Sequence, residues 1–584
     1  MNYADKYACD ILFNCKSEKF SEKIRMFQGC PTIAVTKGGR IYLGWYAGGI
    51  KEPHMNNYNL LVYSDDEGKT WSKPLFVIPS SYELNIHALD IQLFIAPNGE
   101  LHVVWVQNDT ILQTEENKYD ENGNIRWNVD GYIFEDARHS SWEMICYDPD
   151  AEKPVFTEPK FVYPGFLRCK PTFLKNGDWL CFAYDQLTNC YGYNITTDNG
   201  ETYHRYYGCE KIVTPFDETM AYQKNDGSVR MFARSSTGEL AETTSYDNGR
   251  TWEKAKHSGI TAANTRFYVE KLPSGNVLLV HNDHPTERTR MTIKLSVDDG
   301  KSWKYSKCID SRQDISYPDA AYKDGKIYLT YDCGRTSDKE ILFSSFTEED
   351  IIYDREITVS VVSKPPFAPD KSSVISAISE NKIIAILRDV PTEKLIPVAQ
   401  ALYDGGIKLL EITFGSGIDD EQTSENIKLL ADSFKDRMYI GAGTVLTEKQ
   451  VRLTKSAGGC FVISPNTDVK VIRESFLCGM VSIPGALTPS EICEAQRFGA
   501  DFIKLFPAVN ADLKYVKALK APLSDVRILM VGGIDTENIR ELIKAGVCGF
   551  GIGTSLVKSD LVESGNYSQI TAIARQYTEM ISCG

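Results

Sequence analysis

The sequence predicts two unlike domains: an all-β, six-bladed β-propeller over residues 1–362 and an α/β (β/α)8 TIM barrel over residues 375–584. Two observations favour this division. A short turn motif recurs through the first part, as it does in proteins built from repeated sheets. Short apolar strands alternate with helical patterns through the second part, which is typical of a parallel sheet. Residues 363–374, between them, are rich in proline and serine and are expected to form a linker.

Composition narrows the possible partners. The 584 residues carry a net charge of −15, which disfavours a nucleic acid or an anionic membrane, since either would attract a basic surface. The N-terminal stretch has no apolar core of signal-peptide length, and no apolar run is long enough to span a membrane. The 15 cysteines are dispersed without a C-x-x-C pair. We therefore expect reduced cysteines, a cytoplasmic location and no metal site.

The recurring turn follows the pattern S/T-x-D-x-G-x-S/T-aromatic. Its glycine suits a backbone position with positive φ, and its aspartate and hydroxyl groups can satisfy turn amides. A decayed copy at Cys146–Pro159 and a last blade near Ile341–Asp350 bring the expected number of blades to six. The motif resembles the Asp-box of the sialidase superfamily, which implies the propeller fold but no particular activity. Intact copies occur at Ser64–Trp71, Thr196–Tyr203, Ser245–Trp252 and Ser296–Trp303.

Eight strands are predicted in the second part, with helical patterns between them such as Thr392–Tyr403 and Asp535–Ala545. Eight such units in about 210 residues indicate a compact (β/α)8 barrel, whose chemistry lies at the carboxyl ends of the strands. The predicted strands are Lys382–Asp389, Leu409–Phe414, Tyr439–Val445, Cys460–Pro465, Met480–Ala486, Asp501–Ala508, Arg527–Ile534 and Gly549–Leu556.

Lys504 interrupts the apolar sixth strand. A lysine facing the mouth of a barrel would be desolvated, which lowers the pKa of its amine, and a neutral amine can attack a ketone to form a Schiff base. Alternatively, the side chain reaches solvent or pairs with a carboxylate. Glu411, inside the apolar second strand, is the natural partner, because it can move protons while the lysine holds the substrate carbon.

The second part resembles the 2-keto-3-deoxy-6-phosphogluconate / 4-hydroxy-2-oxoglutarate (KDPG/KHG) aldolase family over essentially its whole length. The resemblance implies that Lys504 forms the Schiff base and that Glu411 is the general acid/base, with no cofactor. The implied reaction cleaves a 2-keto-3-deoxy (phospho)sugar acid into pyruvate and an aldehyde. We also expect a homotrimer assembled through this domain. The motifs that carry the resemblance are, in order, LLEITF, GAGTVLT, FVISPN, PGALTPSE, IKLFPA, VGGI and GIGTSL.

The resemblance also implies which residues hold the substrate. Many members carry an arginine four residues after the glutamate, where this chain has Gly415. Arg388, at the end of the first strand, fits a variant pattern and is expected to contact substrate, unless it is simply a solvated charge. The configuration of the sugar, and its phosphate, are therefore left open. Thr444, Pro465 and Phe506 would line the pyruvyl site. Glycine-rich strand ends commonly bind phosphate in such barrels, and the implied phosphate residues are Gly532, Gly533, Gly553, Thr554 and Ser555.

The propeller is expected to act on, or bind, an acidic sugar or oligosaccharide. Sialidases hold a carboxylate with three arginines and use a tyrosine nucleophile. Gly29 stands where the first arginine is expected, whereas Arg234, Arg290 and Tyr317 match later positions. The candidate residues are His87, Asp90, Arg168, Arg234, His281, Arg290 and Tyr317.

Three functions of the propeller stay open. A uronate lyase is favoured, because histidine or tyrosine could remove the C5 proton while arginine neutralises the carboxylate. The fusion supports a lyase, since the catabolism of unsaturated uronates runs through 2-keto-3-deoxy acids. A sialidase-like hydrolase would need a tyrosine paired with a carboxylate, which Glu218 could supply. A non-catalytic carbohydrate-binding module would need neither.

Overall fold

The computed structural model describes residues 8–582 except 82, 115, 120–127, 130–131, 185–187, 215, 366–368, 416, 436 and 509–512. It divides into two compact units, Met1–Pro365 and Pro366–Gly584. Among the helices within the described ranges, none has the length and apolar character that a bilayer crossing requires.

Six antiparallel sheets of four or five strands form the blades of the first unit, which confirms the predicted six-bladed propeller. Short strands Leu12–Phe13 and Asn128–Val129 extend blades one and two, and Phe166–Leu167 pairs with Ala183–Tyr184 beside blade three. The main strands of blades one to six are Phe27–Val35, Ile41–Gly48, Tyr58–Ser64 and Phe76–Pro79; Ile86–Ile95, Leu101–Leu112, Tyr132–Cys146 and Lys160–Pro164; Thr172–Phe173, Trp179–Cys181, Cys190–Thr196 and His204–Glu210; Thr219–Gln223, Val229–Ala233, Glu239–Ser245 and Lys256–Thr261; Tyr268–Lys271, Val277–Asn282, Met291–Ser296 and Tyr305–Asp310; and Ile315–Lys323, Lys326–Cys333, Glu340–Thr347 and Val359–Ser363.

The intact Asp-boxes are the turns between the third and fourth strands of blades one, three, four and five. In the first box, Asp66 accepts hydrogen bonds from the amide and the hydroxyl of Thr70, and Gly68, at φ +83°, donates its amide to Ser64. The region of the decayed copy follows the third strand of blade two, and a short helix, Glu348–Ile352, follows that of blade six. The aspartate and the hydroxyl groups thus hold each turn in shape.

The aromatic residue that closes each box packs on the preceding blade. These rings therefore help to join neighbouring blades. The pairs and the distances between their ring centroids are Trp71 with Phe343 (5.4 Å), Tyr203 with Tyr163 (4.9 Å), Trp252 with Tyr193 (6.2 Å) and Trp303 with Phe232 (6.5 Å).

Buried polar contacts close the ring of blades at its centre. The hydroxyl of Thr32 and the amide of Ile33, in blade one, donate to Asp319 of blade six at 2.8 and 2.9 Å. Lys170 donates to the carbonyls of Ile33 and Ala320 and lies 3.3 Å from Asp319. These contacts join the first strands of blades one and six, with Lys170 from the segment before blade three.

The second unit is a closed parallel barrel. The path of its sheet begins at Val481–Ile483 and ends at Gly485–Ala486, which are consecutive in the chain and separated only by Pro484. Proline lacks the amide that a ladder needs, so one strand is interrupted and the chain itself closes the ring. The prediction of eight strands is therefore confirmed. The other strands are Ile383–Leu387, Leu409–Thr413, Tyr439–Gly443, Phe461–Ile463, Ile503–Leu505, Ile528–Val531 and Gly549–Ile552.

Helices surround the barrel, and one covers the amino-terminal end of its strands. Val374 and Ile378, on the first of these helices, pack against Ile384 and Leu409 inside the barrel. The carboxyl ends of the strands, where Lys504 and Glu411 were expected, lie at the other end. The helices are Lys371–Asn381, Thr392–Asp404, Asp420–Ser433, Glu448–Ser456, Val469–Leu477, Pro489–Arg497, Leu513–Lys520, Ile539–Lys544, Ser559–Glu563 and Tyr567–Ser582.

Candidate active sites

The pleat of two barrel strands turns Lys504 and Glu411 into the barrel. Side chains alternate between the two faces of a strand. Phe502 belongs to the apolar cluster inside the barrel and Ile503 to the cluster under the helices, so Lys504 faces inward again. The same alternation after Leu409 puts Glu411 on the inner face. Only 6% of Lys504 and 1% of Glu411 is exposed, so both ionisable groups are held away from water.

Burial moves the two groups toward their neutral forms. It lowers the pKa of the Lys504 amine, although Glu411 opposes this, and the nearby Arg388 cation lowers it further. Burial also raises the pKa of Glu411, against the opposing pull of Lys504 and Arg388. One oxygen of Glu411, Oε2, is buried and accepts no hydrogen bond from the described residues. The pair therefore offers an amine that can lose its proton and a carboxyl that can carry one.

Gly443 makes room for Glu411. A Cβ placed on this glycine would lie 1.5 Å from Glu411 Oε1, far inside any permitted contact. The strand of Gly443 pairs with the strand of Glu411, so the glycine lies directly beside the carboxylate. The sequence GAGT thus keeps a space that the glutamate fills.

The expected pyruvyl-site residues, Phe506, Thr444 and Pro465, make different contacts in the barrel. Lys504 Nζ lies 4.5 Å from the centroid of the Phe506 ring. Arg388 Nη2 donates to Thr444 Oγ1 at 3.4 Å, and Thr444 has a strained φ of +55°. Pro465 reaches the interrupted strand through its backbone: its carbonyl oxygen would lie 2.2 Å from a Cβ on Gly485, which pairs with Lys504.

The expected phosphate residues follow the neighbouring seventh and eighth strands, which pair in parallel. Gly532 and Gly533 have φ of +95° and +68°, which only glycine adopts readily. After the eighth strand, the amides of Leu556 and Val557 both donate to the carbonyl of Gly553 at 2.9 Å. The intervening residues, Thr554 and Ser555, are exposed at the start of this turn, where backbone amides commonly lack partners.

In the propeller, residues near the starts of the inner strands line a cavity of about 460 Å³. Four arginines line it, and two of them, Arg168 and Arg234, were expected from the sequence. The other two, Arg288 and Arg335, were not. Further lining residues that the sequence analysis missed include Glu52, His139 and Tyr184.

Tyr317 lies at the centre of this arginine cluster. Its hydroxyl donates to Glu218 Oε1 at 3.2 Å and accepts from Arg234 at 3.3 Å, while Arg234 also bonds both oxygens of Glu218 at 2.9 Å. Burial would raise the pKa of Glu218, but Arg234 and Arg168 outweigh it and hold that pKa at about 2. Tyr317 also has a φ of +55°, a costly conformation for a bulky residue that is concentrated at functional sites.

Arg335 fills the space beside Gly29. A Cβ on Gly29 would lie 2.9 Å from Arg335 Cγ, so the missing side chain in blade one admits an arginine from the segment after the second strand of blade six. The Arg335 guanidinium stacks on the ring of Tyr317, with Cζ 3.9 Å from the ring centroid. Arg335 therefore supplies a cation in the space beside Gly29, where the sequence lacks the expected arginine.

Four of the seven propeller candidates lie elsewhere than in the cavity lining. Asp90 is close behind the wall, 2.6 Å from Arg168. His87 is buried against the Tyr46 hydroxyl at 2.6 Å, and burial lowers its pKa to about 3. His281 is buried in the second strand of blade five, and burial likewise lowers its pKa to about 3. Arg290 is exposed, and Arg288, two residues earlier, takes its place in the cavity.

Within the described ranges, one group of side chains could hold a metal ion: Cys30, Glu52 and Asp90 bring ligand atoms within 4.8 Å of one another. Arg335 and Arg168 already lie against these carboxylates, at 2.6 Å each. Burial also raises the pKa of the Cys30 thiol, which keeps it protonated. The group therefore suits guanidinium partners better than a cation.

The second unit is therefore a closed (β/α)8 barrel with a buried lysine amine on the inner face of its sixth strand. The KDPG and KHG aldolase family model matches residues 374–573. The 2-dehydro-3-deoxy-6-phosphogalactonate aldolase of Escherichia coli K12 is 34% identical over 200 residues, which cover 34% of this chain and 96% of that enzyme. The 2-dehydro-3-deoxy-phosphogluconate aldolase of Treponema pallidum is 30% identical over 213 residues, covering 36% and 98%. Through its second unit, the chain belongs to the KDPG and KHG aldolase family.

Solved structures of aldolases and of a sialidase are also similar to parts of this chain. A native KDPGal structure is 34% identical with a TM-score of 0.32, covering 34% of this chain and 96% of that chain. In the first unit, the BNR repeat-like domain matches residues 148–329 and the BNR/Asp-box repeat matches residues 62–73. The NanB sialidase of Streptococcus pneumoniae is 16% identical with a TM-score of 0.42, covering 60% of this chain and 70% of that chain. The first unit thus combines a six-bladed propeller with BNR repeats.

Proposed function

We propose that the second unit is a class I aldolase that cleaves a 2-keto-3-deoxy sugar acid into pyruvate and an aldehyde. The observation that carries this proposal is the Lys504 amine, buried on the inner face of the barrel with a depressed pKa and with the Glu411 carboxyl as its neighbour. A neutral, desolvated amine is the group that forms Schiff bases with ketones.

The mechanism follows from these two residues. Lys504 attacks the C2 ketone and loses water to give an iminium ion. Glu411, through a water, takes the proton of the C4 hydroxyl, and the C3–C4 bond breaks with its electron pair moving to the iminium. The aldehyde leaves, and Glu411 returns the proton to the enamine carbon. Hydrolysis of the resulting imine releases pyruvate and restores the amine.

A phosphorylated six-carbon acid fits the rest of the site. In this proposal, backbone amides of Gly532, Gly533 and the turn from Gly553 to Ser555 would bind the phosphate, and Arg388, beside Thr444 and close enough to Lys504 to lower its pKa, supplies a cation. Gly415 has a φ of +75°, so an arginine at this position would be strained. Since the relatives are named for both phosphogalactonate and phosphogluconate acids, we propose one of these two as the substrate.

Pyruvate release, coupled to lactate dehydrogenase, tests this proposal. The substrates are the 6-phosphates of 2-keto-3-deoxygalactonate and 2-keto-3-deoxygluconate, together with both unphosphorylated acids. Lys504→Arg should abolish release, whereas Lys558→Arg, at an exposed lysine, should retain it. Full activity of Lys504→Arg would overturn the assignment. Light scattering on the same preparation tests the proposed homotrimer.

For the first unit we propose cleavage of a glycoside of an acidic sugar. The observation that favours a hydrolase is the pairing of the Tyr317 hydroxyl with Glu218, because sialidases use a tyrosine nucleophile and such a nucleophile needs a base. A lyase would need a base without this pairing, and the two histidines expected for that role, His87 and His281, lie outside the cavity lining, where His139 is found instead.

The three propeller functions give different products. Aryl glycosides of N-acetylneuraminate and glucuronate would release a fluorescent aryl alcohol on hydrolysis, whereas uronate oligosaccharides would yield an ultraviolet-absorbing unsaturated product on elimination. Hydrolysis that is lost in Tyr317→Phe supports the proposal. Elimination would favour a lyase, and binding without cleavage would favour a carbohydrate-binding module.

A further inference from the structure

The carboxylates around the propeller cavity are of two kinds. Three lie behind the cavity wall and neutralise arginines there, and their side chains are at most 4% exposed: Asp90, Glu218 and Asp332. Glu52 differs, because its side chain is 21% exposed and lines the cavity itself. Glu52 is thus the acidic group among these four that shares the space open to a ligand.

Asp332 and Glu52 also differ in their hydrogen-bond partners and in the segments that carry them. Asp332 accepts hydrogen bonds from the hydroxyl of Ser316 at 2.7 Å and from the amide of Cys30 at 2.8 Å, so it is part of the sheet structure. Glu52 lies on the segment that connects the second and third strands of blade one. Its carboxylate contacts Arg335 at 2.6 Å, Arg168 at 3.4 Å and the Cys30 thiol at 3.7 Å. Rotation of the Glu52 side chain would break these contacts and leave the backbone in place.

We propose that Glu52 occupies the position of a ligand carboxylate in the cavity, and that an acidic sugar binds by displacing it from Arg335 and Arg168. This inference rests on the proposal that the first unit takes an acidic sugar. A sugar carboxylate presents to a guanidinium the same pair of oxygens as the glutamate does, and two anions cannot share one such position without repulsion.

Glu52 thereby determines specificity. An incoming carboxylate must replace contacts that Glu52 already makes. The free energy of binding an acid therefore comes only from contacts that are stronger than, or additional to, those of Glu52. A further contact is available at Arg288, which lines the cavity and forms no ion pair within 4 Å among the described residues, although its charge also acts on Glu52. A neutral sugar can donate or accept hydrogen bonds here, but it offers no negative charge to compete with Glu52 or to pair with Arg288. The cavity therefore selects acids that reach both the Arg335–Arg168 pair and Arg288.

Glu52→Gln tests the inference, because it keeps the shape of the side chain and removes its charge. Acetate, compared with chloride at equal ionic strength, should raise the melting temperature of the first unit more in this variant than in the wild type. Tryptophan fluorescence reports this unit selectively, since all eight tryptophans lie in it. Glu201→Gln, at an exposed site, is the matched control and should respond as the wild type does. Equal acetate responses in wild type and Glu52→Gln would overturn the inference.

Calorimetry with N-acetylneuraminate and glucuronate separates this inference from the proposed function. The variant should bind the acid about fivefold more tightly than the wild type. Binding that is equal in both proteins overturns the role of Glu52 and leaves the proposed function standing. If acetate stabilises the variant but neither protein binds a sugar acid, the position of Glu52 is supported and the proposed function is overturned. Should Glu52→Gln fail to fold, Glu52→Asp, which withdraws the carboxylate from Arg335, should show the same effects in smaller measure.

Discussion

Gly443→Ala should inactivate the aldolase site although neither Lys504 nor Glu411 is replaced. The new Cβ would lie 1.5 Å from Glu411 Oε1, whereas real Cβ contacts essentially never fall below 3.0 Å. The carboxylate must therefore retreat by about 1.5 Å, and a misplacement of about 1 Å can cost on the order of 10²-fold in rate. We expect kcat to fall by at least about 10²-fold, with a stability loss of about 1–3 kcal/mol from overpacking.

Pyruvate release measures the first effect and thermal unfolding the second. Trapping with borohydride and pyruvate should still modify Lys504 in Gly443→Ala, because the substitution displaces the glutamate and not the amine. Gly415→Ala is the control, since a Cβ there would meet no atom within 4 Å and only the positive φ opposes it. A wild-type kcat in Gly443→Ala would refute the reasoning that the position of Glu411 governs the chemistry.

Three other predictions follow from the same structure. Arg388→Met removes a cation that lowers the pKa of Lys504, so the rise of Schiff-base formation with pH should move to higher pH; an unmoved profile would exclude this role. The box aspartates Asp66, Asp198 and Asp298 have pKa values of about 2, below the values expected in the unfolded chain, so their stabilisation is complete at neutral pH and is lost as the pH falls from about 4 toward 2. Asp198→Asn should therefore lower the melting temperature near neutral pH and weaken its acid dependence, as followed by tryptophan fluorescence, and an unchanged acid dependence would count against it. Tyr317→Phe should abolish aryl glycoside cleavage while sugar-acid binding measured by calorimetry persists, and retained cleavage would remove Tyr317 from the mechanism.

Regular patterns made the fold predictable. The spacing of the Asp-boxes identified four blades directly, because each box needs the same glycine, aspartate and hydroxyl to close its turn. The eight apolar strands of the barrel were equally clear, and their predicted ranges overlap those observed. Lys504 and Glu411 stood out in the sequence as polar residues inside apolar strands. Their inward direction, which strand alternation explains, is seen only in the structure.

The propeller cavity was less predictable because its residues come from bulges and connecting segments. The strand of Tyr317 shifts register between Ser316 and Asp319, and such a bulge changes which residues face inward. Arg335 enters the cavity because Gly29, in another blade, leaves space for it, a relation between distant residues that no local pattern reveals. Arg288 and Arg290 are two residues apart, and Arg290, with a φ of +54°, lies outside the cavity where Arg288 lies inside it.

Mass spectrometry after borohydride reduction in the presence of pyruvate is the most direct measurement of the central claim. The account predicts one reduced pyruvyl group, located on the peptide that contains Lys504, in the wild type and none in Lys504→Arg. An adduct on a different lysine, or unmodified protein that still releases pyruvate from 2-keto-3-deoxy acids, would contradict it.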